Sequence, residues 1–137
     1  MIVPTVVDVA VGLVLDGDRI LVSQRKKEAH LGLKWEFPGG KPEAGETHEQ
    51  ALVREFREEV NLDVQVHSLF HECSFEYPER HVRLRFFLCR CRQPEQVRAL
   101  EVLAVRWVPL HSLPALDFPA ANGPVIEKLM DAHMAGF

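Results

Sequence analysis

The chain has 137 residues, 47% of them apolar and 26% charged, with a net charge of −4 from 16 Lys and Arg against 20 Asp and Glu. That length and balance predict one globular domain over residues 1–137, large enough to bury a core, and exclude a disordered or membrane-embedded class. The negative balance argues against a broad nucleic-acid-binding face, so neither a stable nucleic-acid partner nor a membrane is expected, whereas a polyphosphate can be held through a divalent cation. The start, Met1-Ile2-Val3-Pro4-Thr5, lacks a charged segment followed by an apolar one. Cys73, Cys89 and Cys91 are odd in number and without metal-ligand spacing. A cytoplasmic chain with reduced thiols is expected.

In chain order, Val7, Val9, Val11, Leu13 and Leu15 alternate on one strand face, Asp16-Gly17-Asp18 signals a turn, and Ile20-Leu21-Val22 returns. Residues 6–24 therefore predict a hairpin. Residues 25–46 are polar and carry Gly32, Pro38, Gly39, Gly40, Pro42 and Gly45, a long structured loop of the kind that usually bears function. Thr47 is predicted to cap a helix over 48–60 through a capping box with Gln50. Leu52, Val53, Phe56 and Val60 form that helix's buried face, and Asn61 ends it because Asn tolerates the left-handed conformation.

Strands are predicted over 64–76 and 82–90, joined by Tyr77-Pro78-Glu79-Arg80, with Val82, Leu84, Phe86 and Leu88 on one face and Cys89 and Cys91 as small buried residues. A further strand over 102–108 ends at Trp107, and 109–123 is read as loop. Pro124 suits the first turn of a second helix with the apolar stripe Val125, Ile126, Leu129 and Met130. The fold class is α+β, a mixed sheet flanked by two helices.

Glu55, Glu58 and Glu59 stand at i, i+3 and i+4, so their carboxylates project from one side of the predicted helix. Like charges at that spacing cost a few tenths of a kcal/mol each on an isolated helix, so the comb is either a solvated face or a cation site. Glu46 at the loop's end and the run Phe37-Pro38-Gly39-Gly40-Lys41, whose glycines let backbone approach closely, favour the cation site. Carboxylates plus a backbone carbonyl are a normal ligand set for Mg²⁺. Arg54 and Arg57, interleaved with the acids, either orient them by bidentate pairing or lie on the surface.

Gly40, five residues, Glu46, seven residues, then Arg54-Glu55-Phe56-Arg57-Glu58-Glu59-Val60-Asn61-Leu62 resembles the signature box of the Nudix hydrolase family. One position departs: the family usually has Gly where Asn61 stands, and a small stability cost rather than lost activity is expected. The resemblance extends over roughly residues 6 to 130 to the family's MutT-type 8-oxo-dGTP diphosphatases. Arg25, His30 and Trp35-Glu36-Phe37-Pro38-Gly39-Gly40-Lys41 resemble their nucleotide-binding loop, Tyr77 to His81 with Arg80 a later turn, and Asp117-Phe118-Pro119-Ala120-Ala121-Asn122 their base-binding loop.

What the resemblance implies is an α/β/α sandwich whose Mg²⁺, with Mn²⁺ as alternative, is held by Glu55, Glu58, Glu59 and the carbonyl of Gly39. It implies Glu55 as first choice for base or ligand with Glu46 and Arg54 orienting, or Glu101, six residues before Trp107, as the base. Arg25, His30, Glu36, Phe37, Pro38, Gly39, Arg80 and Asn122 would contact the nucleotide. Asn122 before Gly123-Pro124 reads, on its own, as a turn or helix-entry residue. Within the resemblance it acquires a chemical role, because oxidation at C8 turns guanine N7 from acceptor to donor beside O6. An Asn amide, one donor beside one acceptor, matches that edge and mismatches ordinary guanine.

The implied activity is Mg²⁺-dependent pyrophosphohydrolysis of a nucleoside triphosphate, with 8-oxo-dGTP giving 8-oxo-dGMP and pyrophosphate: nucleotide-pool sanitation by a monomer. The alternatives are the same chemistry on CTP- or dCTP-type pyrimidine nucleotides or on RNA 5′ triphosphate ends, and, from another class, a catalytically inactive nucleotide-binding module. The complete carboxylate comb argues against an inactive module.

Overall fold

The computed structural model describes residues 5–78 and 80–136. Strand β1 (Thr5–Asp16) turns at Gly17 into β2 (Arg19–Gln24), as the hairpin pattern predicts. Only Leu15–Ile20 and Asp16–Arg19 pair between them. The rest of β1 runs parallel to β6 (Arg80–Cys91), and β2 runs antiparallel to β7 (Ala104–Pro109), so β1 joins two wings of one mixed sheet. β5 (Val64–Glu76) lies antiparallel on the outer side of β6, with register shifts between Val66 and Ser68 and between Leu69 and His71.

The predicted long loop contains two short strands, β3 (Trp35–Glu36) against β2 and β4 (Gly39–Gly40) against β1. These ladders fix the backbone around the Gly pair instead of leaving it a free loop. Arg80 also departs from expectation: it opens β6 opposite Thr5 rather than sitting in the connection, while Glu79 of that connection lies outside the described residues. The stretch read as loop after β7 holds two 3₁₀ turns, Leu110–Ala115 and Ala120–Asn122.

β1 is buried on both faces, not one. Val9, Val11, Leu13 and Leu15 face a core closed by α2 (Gly123–Met134) through Val125 and Leu129, while Ala10 and Val14 face a second core under α1 (His48–Val60). Parallel pairing with β6 and a helix on each side require this, and small residues on the second face conceal it from a period-two reading. Gly12 belongs to that face: a Cβ there would lie 2.4 Å from the Phe56 ring. Fully buried Phe56, with Ala51, Leu52 and Val60, seats α1 on the sheet, and Val53 is only partly covered. Burial of Phe56 fixes the rotation of α1, and that rotation aims the acidic comb.

Candidate active site

The comb begins where the helix does. The Thr47 hydroxyl accepts the Gln50 N–H at 3.1 Å and the Gln50 side chain accepts the Thr47 N–H at 2.9 Å, closing the expected capping box. Asn61 ends the helix at φ 61, ψ 35, the left-handed geometry expected of it. Between these caps Glu55 lies against Gly40, with Glu58 and Glu59 three and four residues further along the helix.

The two glycines do different jobs. Gly39 backs onto β1, where a Cβ would lie 2.1 Å from the Ala10 carbonyl oxygen, whereas a Cβ on Gly40 would lie 2.5 Å from the Glu55 carboxyl carbon. Gly40, which the resemblance did not nominate as a ligand, is therefore the backbone element that abuts the comb. No signal in the one-dimensional pattern separates two adjacent glycines.

Arg54 is the counter-ion of the cluster. Its Nε donates to Glu46 at 2.8 Å, its Nη2 to Glu46 at 2.9 Å and to the Lys41 carbonyl at 3.2 Å, and its Nη1 to Glu55 at 2.8 Å and Glu58 at 3.3 Å. The bidentate pair holds the Glu46 carboxyl down at about 2, aided by the Glu43 N–H. Arg57 instead pairs with Asp63 at 2.6 Å on the exposed surface, so of the two interleaved arginines only Arg54 organises the acids.

Glu59 is the exception among them. Burial, then its hydrogen bond to Glu55 and the charges of Glu55, Glu36 and Glu101, push its carboxyl up to about 9. Among the described residues no three Asp, Glu, His or Cys side chains converge on a ready-made metal cage, and Arg54 holds Glu55 and Glu58 turned toward itself. The donor chemistry nonetheless fits a hard divalent ion: oxygen ligands, surplus negative charge, and a half-buried carboxyl, Glu59, raised by burial and by its neighbouring carboxylates.

Glu101 reaches this neighbourhood from a distant segment. The Leu100 and Glu101 N–H groups both donate to the Glu59 carbonyl, at 2.9 and 3.2 Å. The charge of Glu36 also reaches Glu59, while Glu36 pairs with Arg25 Nη1 at 2.8 Å and burial raises its carboxyl. Arg25 Nε donates to the His30 carbonyl at 2.6 Å, so the His30 backbone makes this contact and its ring stays exposed.

The base-binding segment is latched to the same loop. Trp35 N–H donates to the Asp117 carbonyl at 2.9 Å, Lys34 pairs with the Asp117 carboxylate at 2.9 Å, and the Phe37 and Phe118 rings approach to 4.9 Å. Pro38 is tied to β1 through its carbonyl, which accepts the Gly12 N–H at 2.9 Å. Asn122 precedes α2 but makes no side-chain cap; its Nδ2 has only a long 3.5 Å contact to the Pro119 carbonyl. Arg80 is exposed. A groove of about 540 Å³ runs between Val53, Val64 and Val66 with Arg54 and Arg57 on its wall, and another of about 680 Å³ lies beside His67 and Cys91.

The Nudix domain family profile matches residues 10–128. The chain belongs to the Nudix family. It is 44% identical over 122 residues to the 8-oxo-dGTP diphosphatase of Escherichia coli K12, covering 88% of this chain and 94% of that protein. It is 38% identical over 132 residues to the CTP pyrophosphohydrolase of the same organism, covering 94% and 92%. The solution structure of MutT from methicillin-resistant Staphylococcus aureus superposes with a TM-score of 0.76 at 32% identity, covering 95% of this chain and 99% of that one. The mixed sheet between two helices is the Nudix fold.

Proposed function

We propose that this Nudix protein hydrolyses nucleoside triphosphates to a monophosphate and pyrophosphate with a divalent ion, preferring 8-oxo-dGTP. The observation that carries the reading is Glu55 seated against Gly40, tied through Arg54 to Glu58 and hydrogen-bonded to Glu59. The similarity to an 8-oxo-dGTP diphosphatase supports the substrate.

Glu55, Glu58, Glu59 and the backbone at Gly39–Gly40 would hold Mg²⁺, or Mn²⁺ in its place. When bound, such an ion spreads the charge of the phosphoryl transition state and acidifies an attacking water. Glu59 would have to give up its proton to hold the ion. Arg54 and Glu46 orient Glu55, and Glu101 supplies a further carboxylate beside Glu59, as base or ligand. Arg25, released from Glu36, contacts phosphate, with His30 and Arg80 at the site's margin. Phe37 and Pro38 are buried and back the loop from the core, so Phe118, half-buried and packed on Phe37, is the ring of this group left to face a base.

Asn122 reads the base. Its amide is not spent on capping α2, so one donor and one acceptor remain for the O6 and N7–H edge of oxidised guanine. The second reading is pyrimidine triphosphate hydrolysis, favoured by the similarity to a CTP pyrophosphohydrolase. Parallel kcat/KM values for 8-oxo-dGTP, dGTP, CTP and dCTP decide between them. A rate for CTP or dCTP above that for 8-oxo-dGTP overturns the preference, and ¹⁸O from labelled water found in free orthophosphate overturns the reaction class.

A further inference from the structure

The segment bearing Glu101 is held to the end of α1 by an uncommon set of bonds. Three of its amides cap the helix: Arg98 N–H donates to the Val60 carbonyl at 2.9 Å, and Leu100 and Glu101 N–H to the Glu59 carbonyl. Helix carbonyls at a C-terminus otherwise need water or a glycine-based turn. A fourth bond comes from a side chain: Asn61 Nδ2 donates to the Gln96 carbonyl at 2.9 Å, across 35 residues of sequence. Trp107 Nε1 donates to the Pro94 carbonyl at 3.1 Å, fixing the start of the same segment.

Asn61 therefore does two separable things. Its backbone supplies the left-handed turn at φ 61, which Gly also supplies, and its amide supplies a cross-link that Gly lacks. The backbone role alone does not call for an amide aimed at another segment.

We propose that Asn61 is a positioning residue for Glu101: its amide pins the 96–101 segment to the end of α1 and so fixes the Glu101 carboxylate beside Glu59. The inference rests on the role given above to Glu101. The cross-link trades conformational freedom of a loop acid for a set position, which raises its effective concentration at the site.

The test uses Asn61→Gly, which keeps the turn, Asn61→Asp, which keeps the shape but loses the donor, Glu101→Gln, and the double variant Asn61→Gly/Glu101→Gln. Turnover of 8-oxo-dGTP is measured as a function of Mg²⁺ concentration, with amide exchange at Arg98, Leu100 and Glu101. Loss of one such bond predicts a roughly three- to ten-fold fall in kcat/KM for both Asn61 variants and faster exchange at the three amides. The melting temperature of Asn61→Gly stays close to native, since Gly accepts the same turn. In the Glu101→Gln background, Asn61→Gly changes turnover by less than about two-fold, because positioning an absent carboxylate has no effect. If Glu101→Gln is impaired but Asn61→Gly is silent, or multiplies fully with it, the positioning role is wrong. If Glu101→Gln retains native turnover, the role of Glu101 itself is wrong, and the positioning role falls with it.

Discussion

Metal binding to this protein should expel a proton, and the proton comes from Glu59. Its carboxyl lies at about 9 in the folded chain against 4.5 ordinarily, because it is buried and faces Glu55, Glu36 and Glu101. At pH 7 the folded, metal-free protein holds that proton almost fully, whereas a divalent ion requires the carboxylate. Each ion bound through Glu59 should release about one proton at pH 7, and fewer as pH approaches 9. Titration calorimetry with Mg²⁺ in buffers of different ionisation enthalpy reads this number as the slope of observed heat. A slope near zero refutes the assignment.

The same group makes a stability prediction of definite sign. Its folded value is raised, so between pH 4.5 and 9 the folded state keeps a proton that the unfolded state has lost, and stability falls as pH rises through that window. At pH 7 the accumulated loss is about 3 kcal/mol. Glu59→Gln should recover up to that amount without metal, a rise in melting temperature of roughly 10 °C, with little gain at pH 4. It should also lower turnover by several orders of magnitude. A variant no more stable than native at pH 8 sinks the argument from burial.

Glu58→Gln should fold normally, hold or slightly raise metal-free stability, and lose turnover by orders of magnitude; near-native activity at saturating Mg²⁺ would remove Glu58 from the metal site. Arg54→Met should lower the melting temperature by stripping the counter-ion from Glu46, Glu55 and Glu58, with divalent ions restoring part of the loss in a thermal shift assay. Leu33, exposed and at φ 66, should be replaceable by Gly with a gain of up to about 1 kcal/mol in denaturant unfolding, since Gly relieves the left-handed strain. Asn122→Ala should weaken 8-oxo-dGMP binding by one to two decades and dGMP binding little, bringing the two affinities together by calorimetry. A variant that keeps the preference makes Asn122 a turn residue only.

How far the sequence reached depended on the range of the interaction. Local rules placed α1 between Thr47 and Asn61 to the residue, because a capping box and a left-handed stop are written within single turns. The second face of β1 was illegible, since Ala10, Gly12 and Val14 carry too little hydrophobic contrast beside the larger alternating residues. Strand limits moved with pairing partners far away in sequence: opposite Thr5, β6 begins early at Arg80, and opposite Gln24, β7 begins late at Ala104. Within the site, the comb was visible as spacing. The Asn61–Gln96 bond and the Lys34–Asp117 latch, spanning 35 and 83 residues, have no local signature.

The site also shows why carboxylates that look equivalent on a helical wheel are not equivalent in chemistry. Glu55 and Glu58 pair with Arg54, whose guanidinium forks between them and Glu46. Glu59, two residues beyond Arg57, is not bonded to that guanidinium, and burial with the charges of Glu55, Glu36 and Glu101 pushes its carboxyl up to about 9. An arriving divalent ion thus meets two kinds of resistance. At Glu55 and Glu58 it competes with a cation already in place; at Glu59 it must displace a proton. Competition with Arg54 is nearly independent of pH, because a guanidinium does not titrate in this range. Competition with the Glu59 proton weakens tenfold for each unit of pH up to about 9. Any steep rise in metal affinity between neutral and alkaline pH is therefore assigned to Glu59, and Glu59→Gln should abolish it, leaving only the pH-independent competition with Arg54.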